Sequence, residues 1–309
     1  MRVLVTGGTG YLGAAIVRAL HARGHHPVVF ARRASAAALP AVPYNGDIRD
    51  RRAIALAAGG VDAVIHAAAL VSLWRPVARE FDEVNVGGLR NVLEVAGRLR
   101  VGRVVYTSSF LALPPAGLSV PLEANDYQRT KVRALEVARA AAAAGFPVVT
   151  LFPGVVYGPG ADTEGNLVGR MIRDHLTGGL PGLIGAQRQW SYSFVDDVAA
   201  AHVEAATRPG VQGEYVVGGE NVPQMRVFEI LRELTGRRLP RQLPFAVATA
   251  AGVVELVRAR VLGSPPRLTP GTVNIFRHDW SLNSERSVRE LSYRMTPLRS
   301  GLQQALDGF

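Results

Sequence analysis

The chain has 309 residues, a length for about two domains, and its 48% hydrophobic and 19% charged residues exclude a disordered chain. Cysteine is absent, which excludes a disulfide framework and a thiolate metal site, and no metal centre is expected. The net charge is +10, yet no arginine run exceeds two and no aromatics interleave with them, so a nucleic-acid partner is not expected.

The chain opens with Met1-Arg2-Val3-Leu4-Val5-Thr6, an apolar run too short for a signal peptide. It reads as a first strand, Val3 to Thr6, and a cytoplasmic protein is expected. Gly7, Gly10 and Gly13 follow at three-residue spacing, and Tyr11 to Ala22 reads as a helix. Glycines after a strand and before a helix permit a tight turn and close approach of backbone to a pyrophosphate. The helix N-terminus then offers free N–H groups to the phosphates. Gly7, Thr9, Gly10, Tyr11, Leu12 and Gly13 are therefore candidate dinucleotide contacts.

Pro27 to Ala31 is a second strand, ending in Arg32-Arg33. An acidic residue there favours NAD through the ribose hydroxyls, whereas a guanidinium pairs with a 2′-phosphate. Arg32 thus predicts NADP(H), with NAD(H) the alternative. Val42 to Tyr44 is a short third strand, and Asp47-Ile48 beyond it would flank the adenine. Arg51 to Ala58 is a helix and Ala63 to His66 a fourth strand, followed by small residues, Ala67 and Ala68, where the cofactor passes close. Glu80 to Leu99 is a long amphipathic helix, and Arg103 to Thr107 a fifth strand ending at Ser108 and Ser109. Ligands gather at that carboxyl edge of such sheets, where a serine hydroxyl can polarise a carbonyl oxygen.

Tyr127 to Ala144 is an alanine-rich helix on which Tyr127 and Lys131 share a face. Of the 35 basic residues 34 are Arg, so Lys131 is the one lysine of the chain. With eight tyrosines in 309 residues, a lone lysine placed at random falls four after a tyrosine about 3% of the time. The chemistry gives the pair a reason. A phenol with a pKa of about 10 is a poor base near neutrality, and a nearby ammonium lowers that value. Tyr127 then exchanges a proton with a substrate oxygen while a nicotinamide exchanges a hydride with the carbon.

Val148 to Phe152 is a sixth strand. After Pro153 the pattern loosens, with glycine and proline clusters at 154–160 and 178–185. Val195 to Thr207 reads as a helix, Glu214 to Val217 as a strand able to rejoin the sheet, and 224–234, 245–261 and 284–291 as helices. Phe245 to Val261 is apolar enough to raise a membrane question, but Glu255, Arg258 and Arg260 make its end amphipathic. It reads as a core or pocket-lining helix, with peripheral membrane contact the alternative and no integral span expected. Alternating strands and helices predict an α/β fold, a Rossmann-type doubly wound parallel sheet with a smaller, mostly helical C-terminal substrate lobe. The sheet domain would be residues 1–155 with 190–218 rejoining it, and the substrate lobe 156–189 and 219–309.

The glycine turn, the serines after the fifth strand and the Tyr127–Lys131 pair together resemble the extended short-chain dehydrogenase/reductase family, nearest its dihydroflavonol-reductase-like and hopanoid-associated epimerase-like branch. Asp47-Ile48, His66-Ala67-Ala68, Asn85-Val86, Pro153-Gly154 and Phe194 to Asp197 fit as well, so the resemblance covers nearly the whole chain. It implies that Ser109 is catalytic with Ser108 nearer the cofactor, that Asn85 helps order the site, that Lys131 also reaches the nicotinamide ribose, and that Pro153 and Val155 lie by the nicotinamide. It also implies a homodimer through the 80–99 and 127–144 helices. Two departures stand out. The segment between Ser109 and Tyr127 is short, which predicts a more open pocket. Where nucleotide-sugar epimerases carry an Arg, alignment puts Trp190, with Arg188 offset, so a diphosphate loses its partner. The expectation is an NADP(H)-dependent oxidoreductase that reduces a ketone or aldehyde of a small, largely apolar substrate near Trp74, Trp190 and Tyr192. The alternatives are a sugar or nucleotide-sugar epimerase/dehydratase with retained NAD, and a non-catalytic dinucleotide-sensing binding protein, which needs no intact Ser, Tyr and Lys set.

Overall fold

β-branched runs separated by glycine turns fill the first half of the chain, and they form a parallel sheet in the computed structural model, which describes every residue except Asp162, Glu164 and Phe309. In chain order the elements are β1 (Arg2–Thr6), α1 (Tyr11–Ala22), β2 (His26–Ala31), β3 (Val42–Asn45), α2 (Arg51–Ala57), β4 (Ala63–His66) and α3 (Arg79–Phe81). A π-helical stretch, Asp82–Gly87, joins α3 to α4 (Gly88–Arg98). Then come β5 (Arg103–Thr107), α5 (Asp126–Ala143), β6 (Val148–Pro153), β7 (Val155–Tyr157), α6 (Leu167–Thr177), β8 (Leu183–Ile184), β9 (Gln189–Phe194) and α7 (Val195–Thr207). The last are β10 (Gly213–Val217), β11 (Glu220–Pro223), α8 (Gln224–Thr235), β12 (Gln242–Leu243), α9 (Phe245–Leu262), α10 (Pro270–Phe276), α11 (Glu285–Leu291) and α12 (Leu298–Asp307).

The main sheet has seven parallel strands in the order β10-β6-β5-β4-β1-β2-β3. The chain winds outward from β1 to β3 and crosses back to β4, so the carboxyl ends of β1 and β4 lie side by side at the reversal point where ligands bind. Alternation along the strands splits the core between the two faces. Val3 and Val5 pack with Ile16, Val198 and Val203 of α1 and α7, while Leu4 packs with Ile54, Val92 and Val95 of α2 and α4. The helix expected at 80–99 is a rod whose middle turn is π-helical, a widened turn that carries Asn85.

The second lobe is mostly helical, as expected, with two small sheets beside its helices: β11, β9 and β7 form one and β12 pairs with β8 in the other. It departs from the expectation in two ways. Of the segment expected to rejoin the main sheet at 190–218, only β10 pairs there, on β6, while β9 belongs to the small sheet. The partners of β9 are distant in sequence, so no local pattern announces them. Finally, α9 is not a core helix. Only Ala248, Gly252 and Ala259 are buried, while Val247, Val253, Val254, Val257, Val261 and Leu262 are between 48% and 76% exposed. No helix among the described residues is long and apolar enough to cross a membrane.

Candidate active site

The turn after β1 has the shape a pyrophosphate needs. Gly7 adopts φ +71°, and a Cβ there would lie 2.6 Å from the Ala68 backbone beyond β4. A Cβ at Gly13 would come within 2.1 Å of the Gly7 carbonyl oxygen, so only glycine lets α1 close on the turn. Gly10 is the N-cap of α1 and no side chain caps the helix, which leaves its first N–H groups for a ligand. The residues present therefore fit a bound dinucleotide. The Tyr11 side chain is not free for a ligand, because its ring is buried and its hydroxyl donates to the Gly158 carbonyl at 3.0 Å. Leu12 is partly buried against the α1 face of the core.

Where the adenosine end is expected, Arg32 is exposed just after β2 and close enough to Asp47 to favour its carboxylate. The main influence on Asp47 is Arg49, which donates to it through both Nε and a terminal nitrogen at 2.9 and 2.8 Å and holds its carboxyl below the usual range. Ile48 is buried under Gly88, and its carbonyl accepts from Asn91.

Tyr127 sits in the first turn of α5, which Asn125 caps by accepting from the Gln128 N–H at 2.9 Å. The two adjacent serines diverge. Ser109 lies beside Tyr127 and its hydroxyl favours the phenolate, while Ser108 lies beside Tyr106. Lys131 is buried and donates to the Thr107 carbonyl at 3.0 Å. Its Nζ is 5.4 Å from the centre of the Tyr106 ring and 5.9 Å from that of Tyr127.

The electrostatics correct one expectation. The net direction of the Tyr127 pKa is up rather than down. Tyr127 is half-buried, and burial pushes its pKa up to about 12 against the opposing pull of Ser109. Burial also lowers Lys131 from 10.5 to about 8. Loss of water thus favours the neutral form of both side chains.

A polar layer beneath the pair went unread in the sequence. The His66 Nδ1 bonds the Thr6 hydroxyl at 2.8 Å, its ring stacks on Tyr106 at 6.0 Å, and burial with the nearby Lys131 charge pushes its pKa down to about 3. The Thr107 hydroxyl bonds His202 Nε2 at 2.9 Å, and His202 Nδ1 bonds the Val198 carbonyl at 2.7 Å. A proton on Nδ1 leaves Nε2 to accept from Thr107, so His202 braces the residue that holds Lys131. Burial lowers His202 to about 4. The histidines themselves were the available signal, His66 closing a strand and His202 in the alanine-rich middle of a helix. Asn85 does not touch the reacting residues. It donates to Thr130 at 3.0 Å, accepts from the Leu70 N–H at 2.7 Å, and so pins α5 to the loop after β4.

The remaining candidates divide. Pro153 ends β6 and Val155 begins β7, where it borders the apolar cluster of the second lobe with Tyr127, Leu122 and Ala124. Trp190 belongs to that cluster, 4.6 Å from Phe276 and 6.1 Å from Phe110 between ring centres. Tyr192 is a core residue rather than pocket wall, buried at 2% exposure against Tyr157. Trp74 is half-buried on the loop after β4 and joins neither the ring group nor that cluster among the described residues. The short segment between Ser109 and Tyr127 is anchored rather than loose. Gln128 donates to the Leu111 carbonyl, Ala116 N–H donates to Asp279, and Gly271 of α10 packs on the Ala124 carbonyl.

The sequence matches the NAD dependent epimerase/dehydratase family over residues 3–218. It is 35% identical to sterol demethylase protein B of Methylococcus capsulatus, over 100% of this chain and 98% of that protein. It is 30% identical to the 2-alkyl-3-oxoalkanoate reductase of Stenotrophomonas maltophilia, over 86% of each. Among solved structures it resembles the UDP-glucose 4-epimerase of Thermus thermophilus in complex with NAD, with a TM-score of 0.76 and 26% identity over 100% of this chain and 98% of that one. The chain belongs to the extended short-chain dehydrogenase/reductase family, in its NAD-dependent epimerase/dehydratase group, and is an NAD(P)-dependent oxidoreductase.

Proposed function

We propose that this oxidoreductase is an NADP(H)-dependent reductase of a ketone or aldehyde on a small, largely apolar substrate. The observation that carries the reading is the Tyr127 phenol, which lies beside Ser109 with Lys131 Nζ 5.9 Å from its ring centre and is bordered by apolar side chains. The names of its relatives, a sterol demethylase protein and an alkyl-oxoalkanoate reductase, support a carbon-rich substrate. So does Arg188, which is exposed and paired with Asp279 at 3.4 Å rather than offered to a diphosphate.

The bound dinucleotide would supply the hydride that adds to the carbonyl carbon. Ser109 Oγ–H hydrogen-bonds the carbonyl oxygen, and Tyr127 Oη–H gives it a proton as the C=O π bond opens. Tyr127 is left as a phenolate, the species a charged Lys131 stabilises. Thr107, braced by His202, holds Lys131 in place, and Asn85 holds α5 in register. The exposed Arg32 would pair with the 2′-phosphate.

Purified protein with NADPH and a panel of aliphatic and aromatic ketones tests the reading through the loss of NADPH absorbance. Tyr127→Phe lowers turnover by about a thousandfold and leaves NADPH binding within about threefold. Arg32→Ala raises the KM for NADPH about tenfold and leaves that for NADH unchanged. Co-purifying NAD together with failure to bind NADPH replaces this reading with epimerisation or dehydration on a retained cofactor, the chemistry named for the Thermus structure.

A further inference from the structure

The outward face of α9 carries Val247, Ala250, Val254, Val257 and Val261 at alternating spacings of three and four, flanked by Val253 and Leu262. These positions form one stripe along a helix. The opposite face packs through Ala248 and Val273 onto α10, and Gly252 lies against Thr269 and Pro270. The helix is therefore apolar on both sides and covered on one. Six of the sixteen exposed large hydrophobics among the described residues stand on this single element.

Its surroundings are basic. From 237 to 267 the chain carries Arg237, Arg238, Arg241, Arg258, Arg260 and Arg267 against one acid, Glu255, which Arg258 already pairs at 2.8 Å. At the approach to α9 an open cleft of about 560 Å³ is lined by Arg237, Arg238, Arg241 and His175. None of the three arginines has a carboxylate partner among the described residues, and the buried His175 Nε2 has no hydrogen-bond partner.

We propose that α9 docks this protein on an anionic lipid bilayer, with the valine stripe among the acyl chains and the arginine cleft taking a phosphate headgroup. An apolar helix face in an arginine-rich stretch of chain has the chemistry of an interfacial helix on acidic lipid. A second copy of the chain fits less well, because a two-fold contact through α9 sets the same arginine-rich stretches against each other. Through its other face α9 is tied to the reaction site: it packs on α10, whose Gly271 touches Ala124, three residues before Tyr127. Docking does not depend on which carbonyl is reduced.

Co-sedimentation with vesicles of equal parts phosphatidylglycerol and phosphatidylcholine, compared with phosphatidylcholine alone, tests it at low and high salt. The full chain sediments with the anionic vesicles at low salt and is released at high salt. Val254→Asp with Val257→Asp, and separately Arg237→Glu with Arg241→Glu, each reduce binding by about tenfold or more. Both variants keep their dinucleotide affinity and their turnover of a water-soluble ketone, which shows them folded. Absence of binding, equal binding to phosphatidylcholine alone, or unchanged binding by the variants overturns the proposal. So does a wild-type dimer that the valine variant converts to a monomer, which assigns the stripe to a contact between copies.

Discussion

α5 and α9 are each eighteen residues long, and they invert each other. α5 buries polar groups: Gln128, Thr130 and Lys131 are at most 4% exposed. α9 exposes apolar ones, with its valines facing outward. Globular helices ordinarily do neither, because an unpaired buried charge and an uncovered apolar stripe both raise free energy. Each inversion persists where something compensates it. In α5 the compensation is internal, since Thr130 accepts from Asn85 and Lys131 donates to Thr107. In α9 nothing among the described residues covers the stripe, and the proposed bilayer would supply the compensation. A buried polar residue and an exposed apolar one are thus complementary signs of work to be done.

The sharpest way to break the comparison is Lys131→Arg. If charge alone mattered at α5, activity would survive. The bulkier guanidinium does not fit the buried position under Tyr106 and Tyr127 that the ammonium occupies, and turnover falls by about a hundredfold or more in single-turnover measurements. Next is Ala134→Leu on the buried side of α5, where Ala134 is fully enclosed with Leu89, Tyr106 and Val148. Overpacking costs about 1–3 kcal/mol, read from urea unfolding.

Proton linkage ranks third. Folding holds His66 at about 3 and His202 at about 4, both below the ordinary 6.5. The unfolded chain therefore binds protons that the folded chain refuses. Stability is full above pH 6.5 and falls as the pH drops from 6.5 towards 4, by about 1.4 kcal/mol per pH unit for each imidazole. Unfolding midpoints measured along that series check the slope. Kinetics offers a companion signal: kcat/KM for reduction declines above pH about 8, as Lys131 loses its proton in the free enzyme. The smallest effect is Val254→Gln, which changes stability by less than about 0.5 kcal/mol because that side chain is already in water. A loss of several kcal/mol there would show the stripe covered within the folded chain.

The same contrast explains what the sequence made legible. The strands that became β1, β2, β4, β5 and β6 are apolar runs bounded by turns, a local signal, and the glycine turn and the Tyr127–Lys131 spacing are local too. β7 and β9 were unread because each is stabilised by the other across more than thirty residues. α6, missed between two glycine and proline clusters, depends on its Asn166 cap and on packing of Val168 and Ile172 against distant residues. At the site, the residue types were readable but their electrostatics were not. Spacing put an ammonium near a phenol, while the direction of the pKa shift depends on how much water each loses. For α9 the apolar composition was plain, and which side it would face was not, since both sides look alike.

The contact between Gly13 and the Gly7 carbonyl has a kinetic consequence. The phosphate turn is shaped by backbone lying on backbone, with no side chain to swing aside. Its form exists before any ligand arrives, so little ordering entropy remains to be lost on binding. Dinucleotide capture at this turn should then behave as a rigid encounter, with an association rate that scales with concentration and shows no slow isomerisation phase.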